Sequence, residues 1–146
     1  MFGHQDPRVA DSYGNIGSVY LAQGDFENAL RQYQKCLDIQ RLLFDCKHPD
    51  IAMSYSRIGK VYEKQGKYEE ALHEYQKTLE IQTQVFGQVH PKVATSYFNI
   101  GSVYDEQGKY EESLEQYQKS LEISTRVFGY EHTNVAELYL MIGIVY

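Results

Sequence analysis

The chain has 146 residues, of which 42% are hydrophobic and 23% charged, a composition typical of a soluble globular domain rather than a disordered chain. Its formal net charge of −6 argues against nucleic acid as a partner, because phosphate binding requires clustered Lys and Arg side chains. No stretch approaches the roughly 18 apolar residues of a membrane span, and two cysteines make no disulfide framework. We therefore expect a cytoplasmic protein that has no membrane partner.

One sequence pattern recurs along the chain with a period of 42 residues. A period of this length predicts a repeat protein, in which one unit cannot bury its apolar faces alone and successive units stack. The recurring residues include Tyr13, Tyr55, Tyr97 and Tyr139 and, four positions later, Gly17, Gly59, Gly101 and Gly143. We predict a single domain over residues 1–146, with repeats at about 2–43, 44–85 and 86–127 and a partial repeat at 128–146.

Each unit is predicted to open with a helix that begins at a proline and ends before a glycine. Proline suits the first helical position, where its missing N–H costs nothing, and glycine suits the left-handed conformation that ends a helix. The prolines are Pro7, Pro49 and Pro91, and the glycines are Gly24, Gly66 and Gly108.

A second glycine lies in the middle of each first helix, where it costs about 1 kcal/mol relative to alanine. That cost indicates that another helix approaches closely at these positions, which are Gly17, Gly59 and Gly101. The small residues expected on the facing helix are Ala29, Ala71 and Ser113.

The second helix of each unit is predicted to follow the glycine turn. It begins at Phe26, Tyr68 or Tyr110 and runs to about Leu43, Val85 or Val127. The loop after it ends in a recurring histidine, His48 or His90, which we expect to cap or pack at the junction. Histidines one repeat apart are too distant to share a metal ion. We find no catalytic residue and no cofactor motif, so the chain is not expected to be an enzyme.

The spacing of these residues resembles that of a known repeat family. With the first tyrosine counted as position 4, Tyr-x-x-Ile-Gly-x-x-Tyr and then Gly, an aromatic residue, Ala and Tyr occupy the positions typical of the tetratricopeptide repeat. The long period and the junction Phe-Gly-x-x-His-Pro-x-Val-Ala resemble the repeats of kinesin light chains and nephrocystin-like proteins. The resemblance implies an all-α, right-handed α-solenoid of helix-turn-helix hairpins, with three full repeats and one extra helix.

The resemblance also implies that a peptide segment binds in a concave groove lined by the first helices. Helical spacing places one residue stripe of each first helix towards such a ligand. The candidate binding residues are Asn15, Ser18, Arg57, Lys60, Lys64, Phe98, Asn99 and Ser102. Asn15 and Asn99 match an asparagine that recurs in kinesin-light-chain repeats, and a carboxamide can pair with a peptide backbone whatever its sequence.

Arg57, Lys60 and Lys64 form what we call the basic stripe. We predict that it meets an acidic side chain of the bound peptide. The alternative is that these three residues are a solvated helix face, since charge runs on exposed helices are common.

The predicted helix near the end of the chain is apolar nearly all round, which is unusual for a terminal repeat. Either the chain is a piece of a longer array or this face associates with another copy to give a dimer. The candidate self-association residues are Leu138, Leu140, Met141 and Ile144. The leading functional hypothesis is a protein-binding module. The alternatives are a self-associating scaffold element with no dedicated peptide ligand, and an engineered or recently duplicated scaffold with no evolved ligand.

Overall fold

The computed structural model describes residues 6–129 together with Leu140, Ile142 and Gly143. In this part of the chain the regular structure is entirely α-helical, which confirms the predicted all-α repeat fold. The helices are α1 (Pro7–Ala22), α2 (Phe26–Leu43), α3 (Pro49–Lys64), α4 (Tyr68–Phe86), α5 (Pro91–Glu106) and α6 (Tyr110–Phe128). Their limits agree closely with those expected from the prolines, glycines and aromatic residues of the repeat.

The recurring histidines start two of the helices. His48 Nδ1 accepts a hydrogen bond of 3.0 Å from the backbone N–H of Asp50, and its ring stacks on Phe44 with centroids 3.9 Å apart. His90 caps α5 in the same way and stacks on Phe86 at 4.2 Å. An N-cap acceptor satisfies one of the N–H groups that a helix start leaves unpaired. The predicted capping and packing roles of these histidines are therefore confirmed.

The glycine that ends each first helix adopts the predicted left-handed conformation. Gly24, Gly66 and Gly108 each have a φ of +76°, a region that side-chain-bearing residues rarely enter. The chain can therefore reverse sharply into α2, α4 and α6, which makes the hairpin the local unit of the fold.

The chain divides into two compact units, Met1–Ile81 and Gln82–Tyr146. The first unit contains α1, α2, α3 and most of α4. Its core lies largely where α2 meets α3, and the buried cluster consists of Ala29, Tyr33, Leu37, Ile51, Tyr55, Ile58 and Val61.

The second unit contains the last turn of α4 followed by α5 and α6, which pair along their length. Val93, Ile100 and Val103 of α5 are buried, as is Tyr117 of α6. The hydroxyl of Ser113 on α6 donates a 2.9 Å hydrogen bond to the carbonyl oxygen of Gly101 on α5, and this bond joins the two helices.

The mid-helix glycines are sites of close approach, as the repeat predicts. A Cβ atom added at Gly17, Gly59 or Gly101 would lie only 2.7 to 2.9 Å from the ring of Tyr33, Tyr75 or Tyr117. The facing residues Ala29, Ala71 and Ser113 are fully buried. The nearest side chain is nevertheless a tyrosine ring and not one of the small residues expected there. Each glycine therefore makes room for an aromatic ring as well as for a neighbouring helix.

Candidate functional site

In the first unit, the side chain of Arg57 on α3 reaches across to α1. A Cβ atom at Gly14 would lie 2.7 Å from Arg57 Nη1, so the absence of a side chain at Gly14 leaves the space that the guanidinium occupies. Arg57 is half-buried in this position. The basic stripe on α3 and the candidate residues on α1 are thereby joined at one point of contact.

A buried thiol lies beneath this contact. Cys36 of α2 is almost completely buried and lies 3.6 Å from the Ser54 hydroxyl. Burial raises the pKa of the Cys36 thiol, while the hydrogen bond to Ser54 and the positive charge of Arg57 act in the opposite direction. The negative charge of Asp11 on α1 also acts on this thiol and raises its pKa. Asp11 and Arg57 therefore place opposite charges near the same point of the first unit.

Lys60, the second residue of the basic stripe, is partly neutralised by its own helix. Its Nζ lies 3.6 Å from Glu63 Oε1, and that oxygen also accepts a 2.8 Å hydrogen bond from the hydroxyl of Tyr75 on α4. The Glu63 side chain is buried, which makes this an anchored carboxylate rather than a mobile surface group. Lys60 and Glu63 are three positions apart on one helix, and this spacing is a sequence signal for the ion pair that the prediction of the basic stripe did not include.

The other two side chains of the basic stripe, Arg57 and Lys64, are not paired with a carboxylate in this way. Lys64 is exposed in the last turn of α3. Within the described part of the chain, neither Arg57 nor Lys64 takes part in an ion pair. These two side chains therefore hold the positive charge that a ligand of the first unit can reach.

The two candidate residues on α1 differ in whether their polar groups already form hydrogen bonds within the protein. Asn15 is exposed, next to the Gly14 contact with Arg57. The Ser18 hydroxyl lies 2.9 Å from the hydroxyl of Tyr33 and donates to the Gly14 carbonyl oxygen at 3.1 Å. Ser18 is thus tied to the α1–α2 hairpin, and Asn15 is the more available hydrogen-bonding group.

In the second unit, the candidates Phe98, Asn99 and Ser102 lie on α5 and are all partly buried. The Phe98 ring packs against Tyr117 with centroids 5.3 Å apart and planes tilted by 41°. The Ser102 hydroxyl donates to Glu106 Oε1 at 3.5 Å. Phe98 therefore contributes to the α5–α6 packing, and Asn99 is the residue of this set that corresponds to Asn15.

The candidate self-association residues fall mostly outside the structural description. Leu138, Met141 and Ile144 lie outside the described residues, and Leu140 is exposed. Dimerisation through this segment stays a prediction.

The described residues contain no candidate for a membrane-spanning helix or for a metal centre. No helix among them combines the length and apolar character needed to cross a membrane. Within the same residues, no group of three His, Cys, Asp or Glu side chains is placed to hold a metal ion.

The sequence matches the family model described as Tetratricopeptide repeat in three overlapping stretches, residues 8–83, 50–123 and 106–146. A curated relative is tetratricopeptide repeat protein 23 of Homo sapiens, which is 44% identical over 43 residues. That alignment covers 30% of this chain and 10% of the relative, so the chain corresponds to a short part of that protein.

Solved structures are similar over nearly the whole chain. BtubC (BKLC) from P. vanneervenii has a TM-score of 0.83 at 24% identity, covering 96% of this chain and 55% of that one. The nearly identical TPR-like repeats of a Podosopora anserina protein described as a kinesin light chain score 0.84 at 19% identity, with 97% and 67% covered. The N-terminal domain of stress-induced protein-1 from C. elegans scores 0.69 at 18%, with 95% of each chain covered. At identities this low, the likeness establishes the fold alone.

Proposed function

The chain belongs to the tetratricopeptide repeat family, whose repeats generally mediate interactions between proteins, and we propose that it binds a peptide segment of a partner through the first helices of its repeats. In the first unit, the binding residues are Asn15 on α1 together with Arg57 and Lys64 on α3. The partner segment carries at least one acidic side chain.

The observation that carries this proposal is the contact of Arg57 with Gly14. Because the guanidinium lies against α1, a ligand that meets it also comes within reach of the neighbouring Asn15. Guanidinium presents a planar set of N–H donors that matches a carboxylate, and a carboxamide both donates to and accepts from a peptide backbone. The combination suits an extended segment that has a carboxylate next to an accessible backbone.

Lys60 is assigned a lesser role because Glu63 already lies beside it. Its charge is shared with a buried carboxylate that also binds Tyr75, so a ligand carboxylate would compete with an existing ion pair. Lys64 belongs to no ion pair with another described residue, and it adds long-range attraction for an acidic peptide.

A direct test compares fluorescein-labelled peptides of equal length that are rich in Glu, in Ser or in Lys. We expect the acidic peptide to bind most tightly in fluorescence anisotropy at low salt. Replacing Arg57→Glu and Lys64→Glu together should weaken that binding by at least a factor of ten, because two attractive charges become repulsive. Asn15→Ala should weaken binding of the acidic peptide to a smaller extent, since it removes one neutral hydrogen-bonding group.

The matched control is Arg31→Glu with Lys67→Glu, which changes the net charge equally on exposed residues of the same unit. If both double variants weaken binding alike, the attraction reflects overall charge and the assignment to the basic stripe fails. Equal affinity of the three peptides for the unaltered protein would likewise refute an acidic ligand.

A further inference from the structure

Asp11 on α1 carries a charge that no other described residue neutralises. The residue is exposed, and it takes part in none of the ion pairs among the described residues. Arg8, three positions earlier on the same helix, is paired instead with Asp6, at 2.9 Å. The carboxylate of Asp11 is therefore available to a ligand of the first unit.

The exposure of Asp11 belongs to its position in the repeat. The equivalent residues of the next two repeats are Met53 on α3 and Thr95 on α5, and both are exposed. Met53 is 41% exposed although α3 packs against the preceding helix, because that contact covers the face of α3 that holds Ser54 and Ile58. The accessibility of this position is therefore independent of whether another helix packs on the first helix of the unit.

The negative charge of Asp11 lies near a positive charge that it does not neutralise. The Arg57 guanidinium occupies the space beside Gly14, three positions after Asp11 on α1. Residues at this spacing on a helix are neighbours, with Cβ atoms about 5–6 Å apart. Burial has the largest effect on the pKa of the Cys36 thiol and raises it, and the charges of Arg57 and Asp11 act on that pKa in opposite directions. Among the described residues no ion pair joins Asp11 to Arg57, so the surface presents two unpaired charges of opposite sign side by side.

We propose that the ligand segment carries a basic side chain two residues away from the acidic side chain that meets Arg57, and that Asp11 binds it. This inference rests on the proposed function and adds a second charge to the ligand. In an extended segment, residues two apart point to the same side and lie about 6.6 Å from each other. That distance matches the spacing on α1 between Asp11 and the guanidinium beside Gly14, whereas adjacent residues of the segment point to opposite sides. Asp11 is thus a specificity-determining residue that favours a segment of mixed charge.

The test compares fluorescein-labelled peptides of equal length that have serine flanks and differ only in their cores. The cores are Ser-Ser-Glu-Ser-Ser, Lys-Ser-Glu-Ser-Lys and Ser-Lys-Glu-Lys-Ser, and their symmetry serves either direction of the bound segment. The second and third peptides have the same composition and differ only in whether lysine lies two residues or one residue from the glutamate. In fluorescence anisotropy, we expect the second to bind roughly three times more tightly than the third, an effect of the size that an exposed ion pair provides.

The charge of Asp11 can be reversed to test its role directly. Asp11→Lys should remove the preference for the second peptide over the third. The same variant should bind a peptide with the core Glu-Ser-Glu-Ser-Glu more tightly than the unaltered protein does, because the new lysine attracts an acidic side chain at that spacing. The matched control is Asp38→Lys, the same change of charge on an exposed residue of α2, which should keep the preference for the second peptide.

Equal affinities of the second and third peptides for the unaltered protein would overturn the inference. So would a preference that survives in Asp11→Lys, or one that Asp38→Lys removes as well. Thermal unfolding of each variant establishes that the fold is retained.

The peptide with a single glutamate and no lysine tests the proposed function separately. If Arg57→Glu with Lys64→Glu weakens its binding, the acidic site stands whatever the result at Asp11. If its binding is insensitive to that double variant, the proposed function and the inference that rests on it both fail.

Discussion

At the scale of single residues, the hydrogen atom at Gly59 decides how closely α3 and α4 approach. A methyl group there would lie 2.9 Å from the ring of Tyr75 and 3.3 Å from Glu74 Cβ. Tyr75 is buried and hydrogen-bonded to Glu63, so its ring has little freedom to retreat. We expect Gly59→Ala to destabilise the protein by about 1–2 kcal/mol, since overpacking outweighs the gain in helix propensity. Chemical denaturation measures this difference.

Gly14→Ala is the matched control for that substitution. It also adds a methyl group in the middle of a first helix, but the atom it meets is the far end of the Arg57 side chain, 2.7 Å away. A flexible guanidinium can move aside, so we expect a stability unchanged or raised by up to about 1 kcal/mol. If Gly14→Ala is as harmful as Gly59→Ala, the tyrosine ring is not the cause.

The two cysteines provide a second test at the residue scale. Cys36 is buried and its thiol pKa is raised by burial, whereas Cys46 is exposed in the loop after α2. The thiolate is the reactive form, so both access and ionisation protect Cys36. We predict that Ellman's reagent modifies one thiol per folded chain rapidly and the second only on unfolding. Cys46→Ser should abolish the rapid phase, and its survival in that variant would contradict the assignment.

The raised pKa of Cys36 also determines whether its contribution to the free energy of unfolding rises or falls with pH. A thiol with a higher pKa in the folded state than in the unfolded state holds its proton more tightly when folded. The contribution of this pKa shift to the free energy of unfolding is present below the ordinary thiol pKa of about 8.5, and it is lost as the pH rises above that value. Thr78 and Ser120, which occupy the equivalent position in the next two repeats, carry hydroxyls that do not ionise in this range.

At the scale of helices, the buried hydrogen bond between Ser54 and Gln40 joins α3 to α2. Removing one partner leaves the other buried without its bond, at a cost of about 1–3 kcal/mol. We expect Ser54→Ala and Gln40→Leu each to destabilise the protein, and the double variant to lose less than the sum of the two. Denaturant unfolding of all four proteins gives the coupling energy, which should be at least about 0.5 kcal/mol.

Ser12→Ala is the control for this cycle, because Ser12 occupies the equivalent position on α1 but is exposed. Its effect should stay within about 0.5 kcal/mol, as for most surface substitutions. Strict additivity of the two buried substitutions would show that the bond contributes nothing to stability. The sequence itself contains a signal for the pair, since Ser124 and Leu138 replace the glutamine and the serine together two repeats later.

Helix limits could be predicted from the sequence because proline, histidine and glycine impose local backbone and capping preferences. The hydrogen-bond and ion-pair partners of long side chains could not be predicted in this way. The position of a residue in a helix fixes which face it occupies, but not which neighbouring group its charge or hydroxyl contacts. Lys60 illustrates this difference: its place on α3 was foreseen, but its ion pair with Glu63 was not. Ser18 likewise lies on the expected helix, yet its hydroxyl is engaged by Tyr33.

At the scale of the whole molecule, the 42-residue period was sufficient to predict the fold, because each unit repeats the same pair of helices with the same turn between them. The resemblance to tetratricopeptide repeats is confirmed by the family match, and the solved repeats described as a kinesin light chain share the fold. The period says much less about the ligand, since the residues of the basic stripe differ from their equivalents in the neighbouring units. Arg57 stands where the neighbouring repeats have Asn15 and Asn99, and that departure from the repeat is what distinguishes the candidate site.

The two compact units provide equivalent substitutions with which to test how the molecule opens. Gly59→Ala crowds Tyr75 in the first unit, and Gly101→Ala crowds Tyr117 in the second. Repeat proteins derive their stability from single units and nearest-neighbour interfaces, so local damage should be felt first in its own unit. In hydrogen exchange followed by mass spectrometry, Gly59→Ala should accelerate exchange mainly in α3 and α4, and Gly101→Ala mainly in α5 and α6. Uniform acceleration of all helices by both variants would instead mean that the chain opens as one cooperative unit.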